Sequence, residues 1–142
     1  MNPRVYWGSR LFVYWVQDHP DYAPRIERLR NWMLARQATI CTSAITLEAL
    51  LEGAYRQQDE ALAAEIRTRM RPPAIEVLAL TGDIADRAAR LRAQHRVSST
   101  FALHLASAAS VGVDLYVTTE PTLYRLVVPG IRLIAPLDAA LF

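Results

Sequence analysis

Short runs of apolar, often β-branched residues alternate along the chain with longer segments that have helical hydrophobic periodicity. This alternation is typical of a parallel sheet with helices on both faces. The short runs predict five strands, near Arg4 to Trp7, Thr39 to Thr42, Ile75 to Leu80, Leu115 to Thr118 and Ile131 to Ile134. The longer segments predict six helices, at Ser9 to Gln17, Asp21 to Arg36, Thr46 to Gln57, Asp59 to Met70, Asp83 to His95 and Ser99 to Val111.

The boundaries of two predicted helices are marked by residues that interrupt helical structure. Pro72 and Pro73 follow the fourth helix, and proline lacks the amide donor that a helix needs. Gly112 follows the sixth helix, where a left-handed cap costs glycine least. No internal repeat, low-complexity tract or linker divides the 142 residues, so we expect a single domain over residues 1–142.

Composition narrows the class of protein. No apolar run approaches the length of about 18 residues that suggests a membrane span, and the first residues do not resemble a signal peptide. We therefore expect a cytoplasmic protein with no membrane partner. The single Cys41 lies in an apolar run, which predicts a buried thiol and excludes an intrachain disulfide.

The charge pattern leaves two interpretations open. All 16 basic residues are arginine, yet the formal net charge is only +2. Arginine suits phosphates and carboxylates, which would fit RNA or an acidic protein partner. The arginines are nevertheless spread over several predicted helices without a concentrated basic run, as expected for solvated helix faces.

Four segments are predicted to meet at one edge of the sheet. In an open parallel sheet, ligands bind beyond the carboxyl ends of the strands, where the connection order reverses. Gly8 follows the first strand, Glu48 lies early in the helix after the second, Phe101 opens the helix before the fourth, and Glu120 follows the fourth. Ser9 and Thr118 lie beside this crevice and are candidates for contacts to a substrate or water.

The segments that supply these residues resemble the PIN-domain family, and the helix from Asp83 to Arg92 is typical of its VapC-like toxin branch. The four segments are VYWGSRLFVY from Val5, ITLEALLEG from Ile45, VSSTFALHLA from Val97 and VDLYVTTE from Val113. The resemblance implies a three-layer α/β/α fold with a central five-stranded parallel sheet. It also implies a Mg²⁺- or Mn²⁺-dependent endoribonuclease, an antitoxin partner and a homodimer.

Two of the four acids that the family carries are absent from this sequence. The resemblance places them at Gly8 and Phe101, and it leaves Glu48 and Glu120 as the remaining catalytic and metal-binding candidates. Hard cations such as Mg²⁺ take oxygen ligands, so these replacements predict a degenerate site. Phe101 is expected to pack its ring into the space of the missing cluster.

The remaining acids each have a second interpretation. Glu48 could point into the crevice, or it could be a first-turn residue on another face than Leu50 and Ala54, with Glu52 paired to Arg56. Glu120 could be a ligand or an ordinary residue before the turn at Pro121. A working nuclease would recruit a further acid, for which Asp114 is a candidate, and His104 is expected to be structural.

Three functions follow from these observations. The chain could be a degenerate PIN-like protein that binds RNA or an antitoxin, or an active endoribonuclease that uses Glu48 and Glu120. It could also be a dimerisation or scaffold element. Aromatic residues concentrated in the N-terminal half suit either a dimer interface or a core: Tyr6, Trp7, Phe12, Tyr14, Trp15, Tyr22 and Trp32.

Overall fold

The structure, a computed structural model, describes residues 2–142 and consists of one five-stranded sheet with helices on both faces. The strands are β1 (Arg4–Trp7), β2 (Thr39–Ser43), β3 (Ile75–Leu78), β4 (Val113–Thr118) and β5 (Ile131–Pro136). The helices are α1 (Ser9–Gln17), α2 (Ala23–Ala35), α3 (Ala44–Arg56), α4 (Glu60–Arg69), α5 (Gly82–Gln94) and α6 (Ser99–Val111), and a short 3-10 turn covers Pro121–Leu123.

All neighbouring strands are parallel, in the order β3-β2-β1-β4-β5. Val5 is opposite Ile40 on one side and Leu115 on the other. The chain thus extends the sheet in one direction through β2 and β3, and in the other through β4 and β5. The connection order reverses at the junction of β1 and β4, which confirms the predicted α/β class.

Alternate strand residues build the two layers of the core. Val5 and Trp7 pack with residues of α1 to α4 on one face. Tyr6 and Cys41 face α6 on the other, where Tyr6 stacks on Tyr116 with ring centroids 5.1 Å apart. Cys41 is buried and unpaired, as predicted, and burial raises the pKa of its thiol to about 12.

The N-terminal aromatic residues serve mainly as core. Tyr6, Trp7 and Phe12 are buried, and Trp15 packs edge-on against Trp7 at a centroid distance of 5.7 Å. Tyr14 and Tyr22 stack on each other at 4.2 Å and are partly buried. Their concentration is therefore explained by packing of α1 and α2 on the sheet.

Some predicted boundaries differ from the structure. Helix α3 begins at Ala44 and not at Thr46, because the Ser43 side chain accepts a hydrogen bond from the Ile45 amide and caps the helix two residues earlier. Strand β3 ends at Leu78, since Thr81 caps α5 in the same way. Gly112 follows α6, as predicted, with a positive φ of +73°, but its ψ of 110° is not that of the predicted left-handed cap. Within residues 2–142, no helix combines the length and apolar character that crossing a bilayer requires.

Candidate functional site

The predicted crevice lies where β1 and β4 end side by side. The two strands are adjacent up to the pair Trp7 and Val117. Beyond that pair, the Gly8 amide donates to the Val117 carbonyl at 3.5 Å and the chain turns into α1. Gly8 and Ser9 therefore stand at the reversal point of the sheet, as predicted.

Nothing in the backbone requires glycine at position 8. Gly8 is the N-cap of α1, with an ordinary extended conformation at φ −68° and ψ 165° and no side chain to cap the helix. The nearest atom to a Cβ built there would be the Val117 carbonyl oxygen at 4.0 Å, an ordinary contact distance. A Cβ atom would therefore fit at this position, and the backbone conformation is one that any L-residue adopts.

Buried hydroxyl groups occupy the floor of the crevice. Thr42, at the end of β2, donates from Oγ1 to the Trp7 carbonyl at 2.8 Å. Thr42 Oγ1 lies 2.7 Å from Thr46 Oγ1 on α3, which in turn lies 3.0 Å from Ser9 Oγ on α1. Both threonines are fully buried. These bonds join β1, β2, α1 and α3 through uncharged groups.

The same network continues to the opposite layer through His104 on α6. Its Nε2 lies 3.0 Å from Ser9 Oγ, and its Nδ1 lies 2.7 Å from the Tyr6 hydroxyl. Burial lowers the pKa of His104 to about 4, and burial also raises the pKa of Tyr6 above its ordinary range. Both groups are neutral at pH 7. The structural role expected for His104 is therefore that of a neutral hydrogen-bonding group between Ser9 and Tyr6. Five side chains make up this hydroxyl relay: Tyr6, His104, Ser9, Thr46 and Thr42.

Phe101 lies in the first turn of α6, whose N-terminus is capped by Ser98. The Phe101 amide donates to Ser98 Oγ at 3.2 Å. Its ring is partly buried and packs against the core cluster that contains Tyr6 and Leu105. The ring therefore adds apolar surface to the α6 side of the sheet.

Glu48 is exposed on α3 and belongs to a shallow surface away from the hydroxyl relay. Its neighbours on this surface include Leu51, Glu52 and Tyr55. Thr46 faces the sheet, and Glu48 lies two residues further along, about 200° around the helix axis. Glu52 pairs with Arg56, as predicted. Glu48 thus lies on another face than the buried Leu50, as in its second interpretation, but in the second turn of α3 and not the first.

The Glu120 carboxylate forms hydrogen bonds within the turn that follows β4. Its Oε1 accepts hydrogen bonds from the Thr122 amide at 3.3 Å and the Thr122 hydroxyl at 2.9 Å, which caps the 3-10 turn. Its own amide donates to Thr118 Oγ1 at 3.0 Å. Thr118 is buried, and its carbonyl accepts from the Leu137 amide at 3.2 Å. The local bonds of Glu120 and Thr118 are those of a structural turn.

The suggestion that Asp114 joins the acids of the crevice is wrong. Asp114 lies near the start of β4, at the amino end of the strand, whereas Glu120 follows its carboxyl end. The Asp114 carboxylate accepts from the Arg4 amide at 2.8 Å and lies 3.9 Å from an Arg132 nitrogen. Asp114 therefore fixes the opposite edge of the sheet.

Sequence reasoning missed the relay residues Tyr6, Thr42 and Thr46. They come from separate segments, and only the spacing of Thr42 and Thr46, four residues apart across a strand end and a helix start, gave a local signal. Polar residues inside otherwise apolar runs are the feature that could have indicated them, because buried hydroxyl groups need partners.

The five side chains of the hydroxyl relay include no carboxylate. In the part of the chain that the structure describes, no group of three or more His, Cys, Asp and Glu residues is arranged to hold a metal ion. The polar groups at the crevice floor are hydroxyl groups, and they already form hydrogen bonds with one another. This set of donors does not fit a hard divalent cation, which favours several carboxylate oxygens.

The fold defines a three-layer α/β/α protein with its candidate site at the reversal point of a parallel sheet. A family model described as the PIN domain matches residues 9–127. The match spans most of the chain, which therefore belongs to the PIN-domain family. No curated protein matches it.

Solved structures with the same fold include three bacterial complexes. The Salmonella typhimurium VapBC bound to DNA matches with a TM-score of 0.71 and 22% identity, over 95% of this chain and 98% of that one. The Rickettsia felis VapBC2 bound to a promoter fragment gives 0.69 and 19%, over 94% and 98%. A Klebsiella pneumoniae toxin-antitoxin complex gives 0.64 and 20%, over 89% and 94%. The chain thus resembles the VapC toxins in fold.

Proposed function

We propose that this chain is a VapC-like PIN-domain protein whose metal-dependent endoribonuclease site is degenerate and which acts by binding an antitoxin-type protein. The observation that carries the proposal is the neutral floor of the crevice. At pH 7 the relay carries no charge, whereas the chemistry implied by the family requires acids to concentrate a divalent cation.

The surroundings of the two remaining acids support the same conclusion. Glu48 is exposed beside Glu52 on α3, and the Glu120 carboxylate already caps the turn at Thr122. An active enzyme dependent on Mg²⁺ or Mn²⁺ would have to move both side chains away from these surroundings. The active-nuclease alternative therefore has less support than the binding module.

Calorimetric Mn²⁺ titration and cleavage of a mixed RNA pool test the loss of activity. We expect the natural chain and Glu48→Gln to behave alike, with no saturable heat and no cleavage above a protein-free sample. The double variant Gly8→Asp with Phe101→Asp is the positive control, and it should gain Mn²⁺ binding. Cleavage by the natural chain that disappears in Glu48→Gln would overturn the degenerate-site proposal and establish the enzyme.

A groove between α1, α2 and α4 supports a protein partner. It has a volume of about 820 Å³, and its apolar lining includes Trp15, Val16, Leu34 and Ile66. Leu34 is 72% exposed, an unusual setting for a leucine beside other apolar groups. Such a groove fits the apolar face of an amphipathic segment.

Charge on the groove specifies the partner further. Arg30 lies on the lining with its guanidinium 4.6 Å from the Trp15 ring centroid, and Arg71 is exposed at the other side. Arg30 is paired with Glu27, and Glu65 also lines the groove, so Arg71 is the cation that favours an occupant with an acidic residue beside its apolar face. The structural neighbours are complexes of toxins with antitoxins, so we assign the groove to a segment of an antitoxin-type protein.

The groove is tested by calorimetry with a candidate antitoxin encoded beside this gene. Leu34→Glu places a charge in the groove and should weaken binding at least tenfold. Val127→Glu is the matched control, because Val127 is 85% exposed and is not among the residues that line the groove. Equal affinities of the two variants would overturn the assignment of the groove without bearing on the metal site.

RNA remains an alternative partner with weaker support. Several arginines pair with acids on their own helices, as solvated faces do: Arg30 with Glu27, Arg56 with Glu52, Arg69 with Glu65 and Arg90 with Asp86. RNA binding through several phosphates would weaken steeply with added salt. A steep salt response with a mixed RNA pool would favour RNA over the protein partner.

The dimerisation alternative has one supporting feature, the α3 surface with Leu47, Leu51 and Tyr55. Tyr55 is 47% exposed, and Glu48 and Arg56 lie near opposite ends of the same face. Antiparallel pairing of two α3 helices would bring Glu48 of one copy toward Arg56 of the other. Light scattering of the natural chain and Tyr55→Glu tests this homodimer.

A further inference from the structure

The direction of every hydrogen bond in the hydroxyl relay follows from its final acceptor. The Trp7 carbonyl can only accept a hydrogen bond, so the single hydroxyl proton of Thr42 is donated to it, at 2.8 Å. Thr42 must then accept from Thr46, 2.7 Å away, and Thr46 must accept from Ser9 at 3.0 Å. Each hydroxyl has one proton, so none of these bonds can reverse alone.

The direction of these hydrogen bonds also determines which ring nitrogen of His104 carries the proton. Ser9 has already donated to Thr46, so the 3.0 Å bond to His104 must use a proton on Nε2. A neutral imidazole has one N–H, and Nδ1 is then left as the acceptor for the Tyr6 hydroxyl at 2.7 Å. Tyr6 is fully buried and can serve as the donor at the start of the relay.

We propose that these five side chains form a one-way hydrogen-bond relay which fixes His104 as the Nε2–H tautomer and makes Ser9 available to the crevice only as an acceptor. His104 is thus a positioning residue that acts through Ser9. Ser9 is partly exposed and keeps one unused lone pair. A ligand at this point must bring a donor, such as a hydroxyl or an amine, and a bare phosphate oxygen is disfavoured.

The tautomer can be observed directly in the full chain labelled with ¹⁵N-histidine. Spectra that correlate ring nitrogens with ring protons at pH 7.5 show which nitrogen carries the proton, and His104→Gln identifies the signal. We expect a protonated Nε2 and an unprotonated Nδ1. A predominant Nδ1–H form in the natural chain would overturn the proposal.

Removal of the final donor provides the decisive comparison. Thr42→Val frees Thr46 and Ser9 to reverse, so His104 should change from one tautomer to a mixture, although Thr42 does not contact it directly in the relay. Thr118→Val is the matched control, because Thr118 is also buried but lies outside the relay, and His104 should stay unchanged. If the two variants have the same tautomer ratio as the natural chain, the relay is refuted.

Ser9→Ala provides the same information if Thr42→Val does not fold. Ser9 is partly exposed in the first turn of α1, so its loss costs less packing. Without Ser9, the Nε2–H of His104 has no acceptor in the relay, and the Nδ1–H form bonded to Tyr6 should become populated. An unchanged tautomer in Ser9→Ala would likewise refute the proposal.

Discussion

Ser9 Oγ and His104 Nε2 lie 3.0 Å apart, and this bond joins two helices that pack on opposite faces of the sheet. Helix α1 follows β1 and packs with Trp7, whereas α6 packs with Tyr6 on the other face. The start of α1 can meet the second turn of α6 because the sheet connections reverse between β1 and β4. The crevice at the reversal point thus contains a hydrogen-bonded bridge between the two helical layers.

Thr46 should be the most sensitive hydroxyl of this bridge. Thr46→Val preserves the shape of the side chain but removes bonds to both Thr42 and Ser9 in a fully buried place. We expect a loss of about 2 kcal/mol in the free energy of unfolding, since unpaired buried polar groups cost about 1 to 3 kcal/mol. Urea denaturation measures it.

Thr68→Val is the control for this measurement. The Thr68 hydroxyl donates to the Ala64 carbonyl on the exposed side of α4, so its removal should change the free energy by no more than about 0.5 kcal/mol. If the two variants lose similar stability, the relay is not a significant source of stability.

Folding stability should decrease as the pH falls from about 6.5 to about 4. Burial lowers the pKa of His104 from 6.5 to about 4 in the folded state, so in this range the unfolded chain binds a proton that the folded chain excludes. At roughly 1.4 kcal/mol per pKa unit, the loss approaches about 3 kcal/mol. Above about pH 7.5, where the unfolded imidazole is also neutral, this contribution is fully present and constant. Chemical denaturation at a series of pH values measures it.

His104→Gln separates this effect from the titration of carboxyl groups in the same range. Glutamine has a donor and an acceptor but no group that titrates, so the variant should lose the part of the pH dependence that lies between pH 4 and 6.5. Parallel stability curves for the natural chain and His104→Gln would show that His104 is not the titrating group.

The fold was predictable because its signals are local. The strands are short runs rich in apolar residues, and several helix boundaries are marked by nearby residues such as Ser43 or Gly112. Hydrophobic periodicity therefore indicated all five strands and six helices. The errors lie at boundaries, where a side-chain cap such as that of Thr81 decides the first helical residue.

The site was less predictable because it depends on the rotation of helices and on distant partners. Glu48 is close in sequence to Thr46, yet a shift of two residues turns it to another face of α3. Tyr6 and His104 are 98 residues apart, and no local pattern relates them. The sequence positions of Gly8 and Phe101 indicated where the crevice lies. The hydrogen bonds within it are visible only in the structure.

Glu120 should behave as a cap and not as a metal ligand. Glu120→Gln preserves an acceptor oxygen for the amide and hydroxyl of Thr122, so its free energy of unfolding should stay within about 0.5 kcal/mol of the natural chain. Glu120→Ala removes the acceptor and should cost about 1 kcal/mol, as lost caps do. Thermal unfolding compares the two. Equal losses in both variants would show that the negative charge, and not the cap, is what matters.

Gly8→Asp should be tolerated by the fold and should alter His104. The backbone has an ordinary φ of −68°, and a Cβ meets nothing closer than the Val117 carbonyl oxygen at 4.0 Å. An aspartate at this N-cap should stabilise α1 by a few tenths of a kcal/mol.

The negative charge of the aspartate at position 8, near Ser9, should also raise the pKa of His104, because a nearby carboxylate favours the charged imidazole. NMR titration of His104 in Gly8→Asp, with Gly8→Ala as the uncharged control, measures the change. An upward shift confined to Gly8→Asp is expected, whereas equal titration curves in the two variants would place the aspartate side chain away from the relay.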